Sequence, residues 1–555
     1  MSFKRDFDFT SISNEIYLDS AATSKTLTTS ISAINEYFKF YNANVHRGSY
    51  SSAIKATNLY ELARESVAQL INATSTNEVV FTSGATQSLN LIANGLHSNM
   101  LHGDEILIFE SEHHANILPW QALAKRLNMT LTPIKLEPSG IFNDESLSKC
   151  LDRITNKTAI IAMAHASNAL GNVYPIKTIC EKARQHDALT IIDGTQAALH
   201  LHVDVQVINC DFYALSGHKM YASTGIGAMY GKFSLLENLI PSTLGGEMIT
   251  QVTWTGFQTQ PPPIKFEAGT GNIVGAISLG ESAAYIKSNF ANLQRYETRL
   301  FKYLLDAIAP IVSKDQIEIY GNILAYFSNP NFEFDKYCIP VLSFNLKNTH
   351  CYDVATFLAQ QSIAVRAGHH CAMPLMQGLH IEGCVRLSLA CYNEFDEIDS
   401  LIDALKDCIK NTNISYRANP ERIDSNDTVD AIKKANNWSE KHRQILLASK
   451  QLPLLPVSHR NRKNEIIGCE ADVWLAELAP QENESQTNAA TMLYAYSNSK
   501  VVRGLLSLIL NKLNRCPDTN IEEYLRMLGL TQYFSQGRRD GIKSIIKTIE
   551  KNNRP

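Results

Sequence analysis

EVVFTSGATQSLNLIANGL, residues 78–96, changes its period part-way along. The apolar run EVVF reads as a buried strand, SG as a turn, and ATQSLNLIANGL as a helix with apolar positions three and four apart. The same pattern returns downstream. EILIFESEHH leads into ANILPWQALAKRL, TAIIAMAHASN precedes IKTICEKARQHD, and ALTIIDGTQ precedes a polar stretch and then DFYALSGHK. Strand, loop and helix in repetition predict an α/β fold, a mainly parallel sheet with helices on both faces. Ligands of such sheets bind at the carboxyl ends of the strands. Thr86, His113, Asn168, Asp193, Gln196 and Lys219 all stand just after apolar runs and form the candidate site.

At 555 residues the chain exceeds one hydrophobic core, so several domains are expected. The large domain is read over about 20–284 and a smaller α+β subdomain over 1–19 and 285–411, with 275–310 helical. The stretch 412–428 is polar and aperiodic and reads as a linker. Beyond it, 429–555 reads as a separate α+β domain, opening on the amphipathic pattern VDAIKKANNWSEKHRQILLASKQL. Lys and Arg number 51 against 55 Asp and Glu, which argues against a dedicated nucleic-acid or acidic-membrane surface. MSFKRDFDF holds four charges in its first eight residues, unlike a secretory signal, and no run approaches the ~18 apolar residues of a membrane span. Eleven cysteines, an odd number without a CxxC pair, predict a reducing, cytoplasmic setting.

Lys219 follows an apolar strand in SGHKMYASTGIG, and Asp193 ends the run ALTII. A carboxylate there can keep a pyridinium nitrogen protonated, the partner that pyridoxal phosphate needs as an electron sink. FTSGATQS offers a glycine and small residues opening a helix, with free N–H groups suited to a phosphate. His113, in ESEHHAN, can stack on a flat ring. Each has a plainer reading: a surface lysine, a turn aspartate, a satisfied loop histidine. Cys371, in RAGHHCAMP, can be a zinc ligand, half of a disulfide, a buried apolar residue or a nucleophile. Zinc is disfavoured because His369, His370 and Cys371 cannot easily converge on one ion and no CxxC completes the set. Gly, two His and Arg make a poor apolar niche and a good one for a thiolate.

The order SGATQS, EHHAN, HASNALG, DGTQ, SGHKMY, FEAGT and RAGHHCAMP resembles the class V aminotransferase-like cysteine desulfurases, closest to the SufS type (group II, selenocysteine lyase-like). The likeness runs from YLDSAAT at Tyr17 to about residue 410. It implies a homodimer of PLP fold type I that takes the sulfur of L-cysteine, or the selenium of L-selenocysteine, and releases alanine. Lys219 would carry the cofactor as a Schiff base, His113 would stack on its ring, and Asp193 would pair with its nitrogen. Gln196 and Asn168 would contact the phenolic oxygen and nearby substrate groups. Ala85, Thr86, Ser216 and His218 would hold the phosphate, joined by Thr270 of the partner subunit. Arg386, in CVRLSLA, would clamp the substrate carboxylate, with Arg366 beside the nucleophile, Cys371. FEAGTGN departs from the pattern, with Gly271 where relatives often have proline, and so does YAST after Lys219.

The C-terminal stretch, about 429–550, resembles SufE/CsdE-type sulfur acceptors in NNWSEKHRQILLASKQLP, IIGCEADVWL, SKVVRGLLSLI and RRDGIKSII. The resemblance implies that Cys469 takes the persulfide sulfur from Cys371 and passes it to an iron–sulfur scaffold protein. Arg538 matches a family arginine near the acceptor loop, while Asn498 stands where an acidic residue is common. A PLP aminotransferase or lyase with an incidental Cys371, and a thiol-switch interaction protein, are the competing readings.

Overall fold

In the computed structural model, which describes residues 3–7, 15–329, 332–415, 425–435, 438–466, 472–478, 492–531 and 536–552, the short apolar runs become one seven-stranded sheet. Its strands are β1 (Val79–Thr82), β2 (Glu105–Phe109), β3 (Thr130–Ile134), β4 (Thr158–Ala164), β5 (Leu189–Asp193), β6 (Phe212–Ser216) and β7 (Gly227–Gly231). Every residue of β1, β4, β6 and β7 is buried, as continuous apolar runs require when both faces of a sheet are covered. The order is β1-β7-β6-β5-β4-β2-β3. The pairs from β6 through to β3 are parallel, whereas β7 runs antiparallel to both β1 and β6. Only residues 217–226 separate β6 from β7, too few for the crossover that a parallel neighbour needs. The reversal matters for the site: Gly227, where β7 begins, faces both Thr82 at the end of β1 and Ser216 at the end of β6.

The helix expected over 275–310 is one 40-residue element, Ile273–Val312. The domain boundary read at 284/285 therefore falls inside an unbroken helix. A second, four-stranded sheet follows, in the order Ile317–Tyr320, Val341–Leu346, Cys384–Ser388, Arg366–Gly368. Near the start of the chain, Ile16–Tyr17 pairs in parallel with Ile363–Ala364, and Asp19 bridges to Ser388. Arg366 lies directly across from Arg386 in the antiparallel register. Like charges placed so repel unless an anion joins them.

The chain forms two compact units, Met1–Phe344 with Ser362–Asp403, and Asn345–Gln361 with Ala404–Pro555. The helix Cys351–Gln360, read within the small subdomain, thus belongs by contact to the second unit. Helices also enter the expected linker from both sides, Phe395–Ser415 and Ser425–Lys434, leaving 416–424 outside the described residues. The amphipathic pattern beyond resolves into Ser425–Lys434 and Trp438–Ala448, and Ile521–Met527, capped by Asn520, adds a helix that its short apolar pattern did not announce.

In this second unit the strands Val473–Leu478 and Met492–Ser497 pair antiparallel, and the helix Lys500–Leu513 crosses the core with Leu506, Ile509 and Leu510 buried. A side chain at Gly504 would meet the carbonyl oxygen of Ile445 at 2.0 Å, so this crossing requires glycine. The first turn of that helix is capped by Asp353, whose carboxylate accepts from Ser499 Oγ at 3.1 Å and from the N–H groups of Lys500 at 3.0 Å and Val501 at 3.3 Å. Among the described residues, no helix is long and apolar enough to cross a membrane.

An unmade cap leaves helix N–H groups without acceptors. Asp353→Ala is expected to weaken the first turn of Lys500–Leu513 by about 1 kcal/mol, seen as faster hydrogen exchange at Lys500 and Val501 with the rest of the helix unchanged.

Candidate active site

Five strand ends converge on one cavity of about 400 Å³ in the first unit. After β1, Gly84, Ala85 and Thr86 form its rim. After β2 comes His113, and after β4 comes Asn168. Asp193 ends β5, with Gln196 one turn on, and β6 ends in Ser216, followed by His218 and Lys219. All of these but Gly84, nine residues, were assigned to the site by sequence reading, and the topology brings them together.

The β1 loop can lie this close to the sheet because it is glycine against glycine. Gly84 has φ +149°, and a Cβ at Gly227 would sit 2.6 Å from the Gly84 Cα. The loop opens the helix Ala85–Gly95, and among the described residues nothing accepts the N–H groups of Ala85, Thr86 and Gln87. Such a turn favours an anion.

The charges inside are strongly perturbed. Burial pushes the Lys219 ammonium down to about 8, against which the Asp193 carboxylate pulls it up; Arg386, Cys371 and Arg366 are also near enough to act on it. Burial, with the Lys219 charge, holds His113 down to about 4. His113 Nδ1 accepts the N–H of Ala115 at 3.1 Å, so the neutral ring carries its proton on Nε2. His218 is likewise held at about 4, by burial and then Lys219. Asp193 Oδ1 accepts the N–H of Thr195 at 3.0 Å, while the buried hydroxyl of Thr195 has no partner among the described residues. Tested against pyridoxal phosphate, this donor set fits: a buried carboxylate for the ring nitrogen, an amine of lowered pKa, a neutral imidazole, an unmet hydroxyl and a helix N-terminus for the phosphate.

Cys371 is exposed on a turn where His370 and Cys371 both take left-handed conformations, φ 51° and 56°. For L-residues this costs about 1–2 kcal/mol each and persists only when neighbours enforce it. They do. Cys371 N–H donates to His369 Nδ1 at 3.1 Å, and the Cys371 carbonyl accepts the N–H of His114 at 2.7 Å. The His370 carbonyl accepts from Asn168 Nδ2 at 2.9 Å. The cysteine turn is therefore bonded to two walls of the cavity, through Asn168 and the residue after His113. Arg386 is buried and donates from Nη1 to the Asn168 carbonyl at 2.9 Å and from Nη2 to Asp19 at 3.0 Å. Arg366, half exposed, also grips Asp19, from Nε at 3.0 Å and Nη2 at 2.9 Å.

Some expected contacts are internal instead. Gln196 Nε2 donates to the Ala21 carbonyl at 2.8 Å, and Asn168 is engaged with the cysteine turn. Thr270 is exposed and does not line the cavity. Cys469 lies outside the described residues; Arg538 falls in the helix Gln536–Asn552, and Asn498 Nδ2 donates to Asp472 at 3.3 Å. Sequence reading missed Asp19, Thr195 and Glu112. Glu112 is fully buried, raised to about 8 by burial, and accepts the Ala164 N–H at 2.8 Å. Asp19 lay in view within YLDSAAT, but its partners are more than three hundred residues away.

The model for aminotransferase class-V proteins matches residues 16–401. The chain belongs to that family. A second model, the Fe-S metabolism associated domain (SufE), matches residues 426–553. A protein of Staphylococcus aureus named "Probable cysteine desulfurase" is 43% identical over 392 residues, covering 70% of this chain and 91% of its own. Among solved structures, the cysteine desulfurase from Thermococcus onnurineus NA1 aligns with TM-score 0.66 and 35% identity over 72% of this chain and 95% of its own. The cysteine desulfurase CsdA from Escherichia coli aligns with TM-score 0.64 and 32% identity over 74% and 98%. By sequence and by fold the first unit thus groups with the cysteine desulfurases, a PLP-dependent family, and an iron–sulfur metabolism domain follows it.

Because burial disfavours the ammonium, the Lys219 amine is expected to acylate in cofactor-free protein with a midpoint near pH 8 instead of the ordinary 10.5. Asp193→Asn removes the group that favours the charged form, so the midpoint should move lower still. Competitive labelling across pH, read by peptide mass spectrometry, measures both.

Proposed function

We propose that this chain is a pyridoxal phosphate-dependent cysteine desulfurase that hands its sulfur to a fused acceptor domain. The observation that carries this reading is the exposed Cys371, held on a strained turn that is bonded to the wall of the Lys219–Asp193 cavity. Transamination alone gives such a thiol no task.

Bound in the cavity, pyridoxal phosphate supplies an electron sink for the pair left on the substrate Cα. Asp193 would hold the ring nitrogen protonated, and Ser216, His218 and the amides of Ala85 and Thr86 would receive the phosphate. Arg386 and Arg366 would take the substrate carboxylate. Lys219 Nζ, with its lowered proton affinity, is suited to lift the Cα proton and to return one, and neutral His113 to donate a hydrogen bond from Nε2. The Cys371 thiolate then attacks the substrate sulfur. The C–S bonding pair stays with carbon, which takes a proton; alanine leaves and the persulfide remains on Cys371.

The acceptor step follows from the fusion. Cys469 would attack the outer sulfur, regenerating Cys371 as a thiolate, and carry it toward an iron–sulfur scaffold protein. Covalent linkage raises the effective concentration of one thiol at the other without new contacts. We further propose a homodimer in which Thr270 completes the partner's phosphate site, working in the cytoplasm with its cysteines reduced.

Cys371→Ala is expected to keep the cofactor and lose both alanine and sulfide formation from cysteine. In the wild-type chain incubated with cysteine, mass spectrometry should find one added sulfur, about 32 Da, on Cys371 and on Cys469. Unchanged alanine output from Cys371→Ala would return the aminotransferase reading, and added mass on Cys371 alone would remove the relay. Cys469→Ser should slow turnover when no reductant is present.

A further inference from the structure

The register of the small sheet sets Arg366 directly across from Arg386, and Asp19 answers both. Arg386 presents the edge that a carboxylate takes side-on, Nε with Nη2. Nη2 is held by Asp19 Oδ1 at 3.0 Å, while Nε is buried without a partner among the described residues. Arg366 uses the same edge, with Nε and Nη2 both on Asp19 Oδ2 at 3.0 and 2.9 Å. Asp19 itself is anchored elsewhere: it bridges to Ser388, and its carbonyl accepts the N–H of Ala22 at 3.0 Å. Its carboxylate is 13% exposed, so it meets the two cations largely out of water.

We propose that Asp19 is a built-in competitor for the carboxylate clamp, a positioning residue that acts through Arg366 and Arg386. An amino-acid carboxylate and Asp19 seek the same N–H donors. With Asp19 in place the clamp has one net positive charge to offer instead of two, so cysteine and alanine are both held less tightly. Substrate and product share that carboxylate. Interaction gained equally with both lowers KM but also keeps alanine bound, so weakening it favours release of product. This rests on the reading of the two arginines as the substrate clamp.

The test is steady-state kinetics of the full-length holoenzyme with L-cysteine, inhibited by added L-alanine. Asp19→Asn keeps the size and an acceptor oxygen and removes the charge. It is expected to lower the KM for cysteine and the inhibition constant for alanine together, by roughly three- to tenfold, with kcat unchanged or reduced. Asp19→Glu, which restores the charge, should return both toward wild type. If Asp19 only shapes the clamp, both constants rise in Asp19→Asn, and the proposal is overturned; unchanged constants overturn it equally. Asp19→Ser removes the same charge and decides the matter where the asparagine variant does not fold. A wild-type chain that never turns over cysteine removes the desulfurase reading first, and this inference with it; altered constants in an active enzyme bear on Asp19 alone.

Discussion

A charged amine taken out of water must be paired or must give up its proton, and the site is organised around that constraint at Lys219. The lysine stands one short turn past β6, beside the carboxyl end of β5. Asp193 is there because β5 is parallel to β6, so neighbouring strands deliver their loops to one edge of the sheet. Burial pushes the amine down and Asp193 pulls it up, and the result, about 8, lies between a spent cation and a free base. The same field keeps His113 neutral. A neutral imidazole beside a partly protonated amine can donate a hydrogen bond from Nε2 without adding a second positive charge. Both properties follow from where the strands end.

Cys371, the proposed nucleophile, is prepared differently, by backbone and solvent. Most described cysteines are buried: burial pushes Cys384 and Cys150 up to about 12 and Cys408 to about 11, so they stay protonated and inert. Cys371 lies thirteen residues before Cys384 in the same small-sheet region, yet it is exposed. The difference is the left-handed turn at 370–371, which lifts the side chain out of the packing and holds its peptide by the N–H of His114 and the ring of His369. Strain of this kind is kept where a function needs it.

Local pattern carried much of this into view. The alternation of apolar runs and helical periods announced the parallel sheet, and the carboxyl-end rule placed Thr86, His113, Asn168, Asp193, Gln196 and Lys219 at one edge before any coordinates. What stayed hidden was whatever depends on register or on distant pairing. The reversal of β7 is set by a loop too short for a crossover, and apolar content alone does not reveal it. No period in the sequence links Asp19 to Arg366 and Arg386, because the link is made by two strands meeting across the chain. The boundary read at 284/285 lies within the long helix Ile273–Val312, and composition does not mark where a helix stops serving one layer and begins serving another. The helix Cys351–Gln360 is close to Cys371 in sequence, but its Asp353 satisfies donors of the C-terminal helix Lys500–Leu513.

That last contact bears on how the second unit is assembled. A persulfide is a reactive intermediate, and its value depends on reaching one thiol before any other nucleophile or reductant. A tether raises the rate at which the two thiols meet. A carboxylate that caps a helix is directional: it must stand on the helix axis within hydrogen-bond reach of the first amides. Asp353 makes such bonds within the second unit, from a segment that in sequence follows the strand Val341–Leu346 and precedes Arg366–Gly368. The acceptor unit is thus built in part from chain that lies between two strands of the desulfurase, so it is integrated by sequence order as well as by a linker.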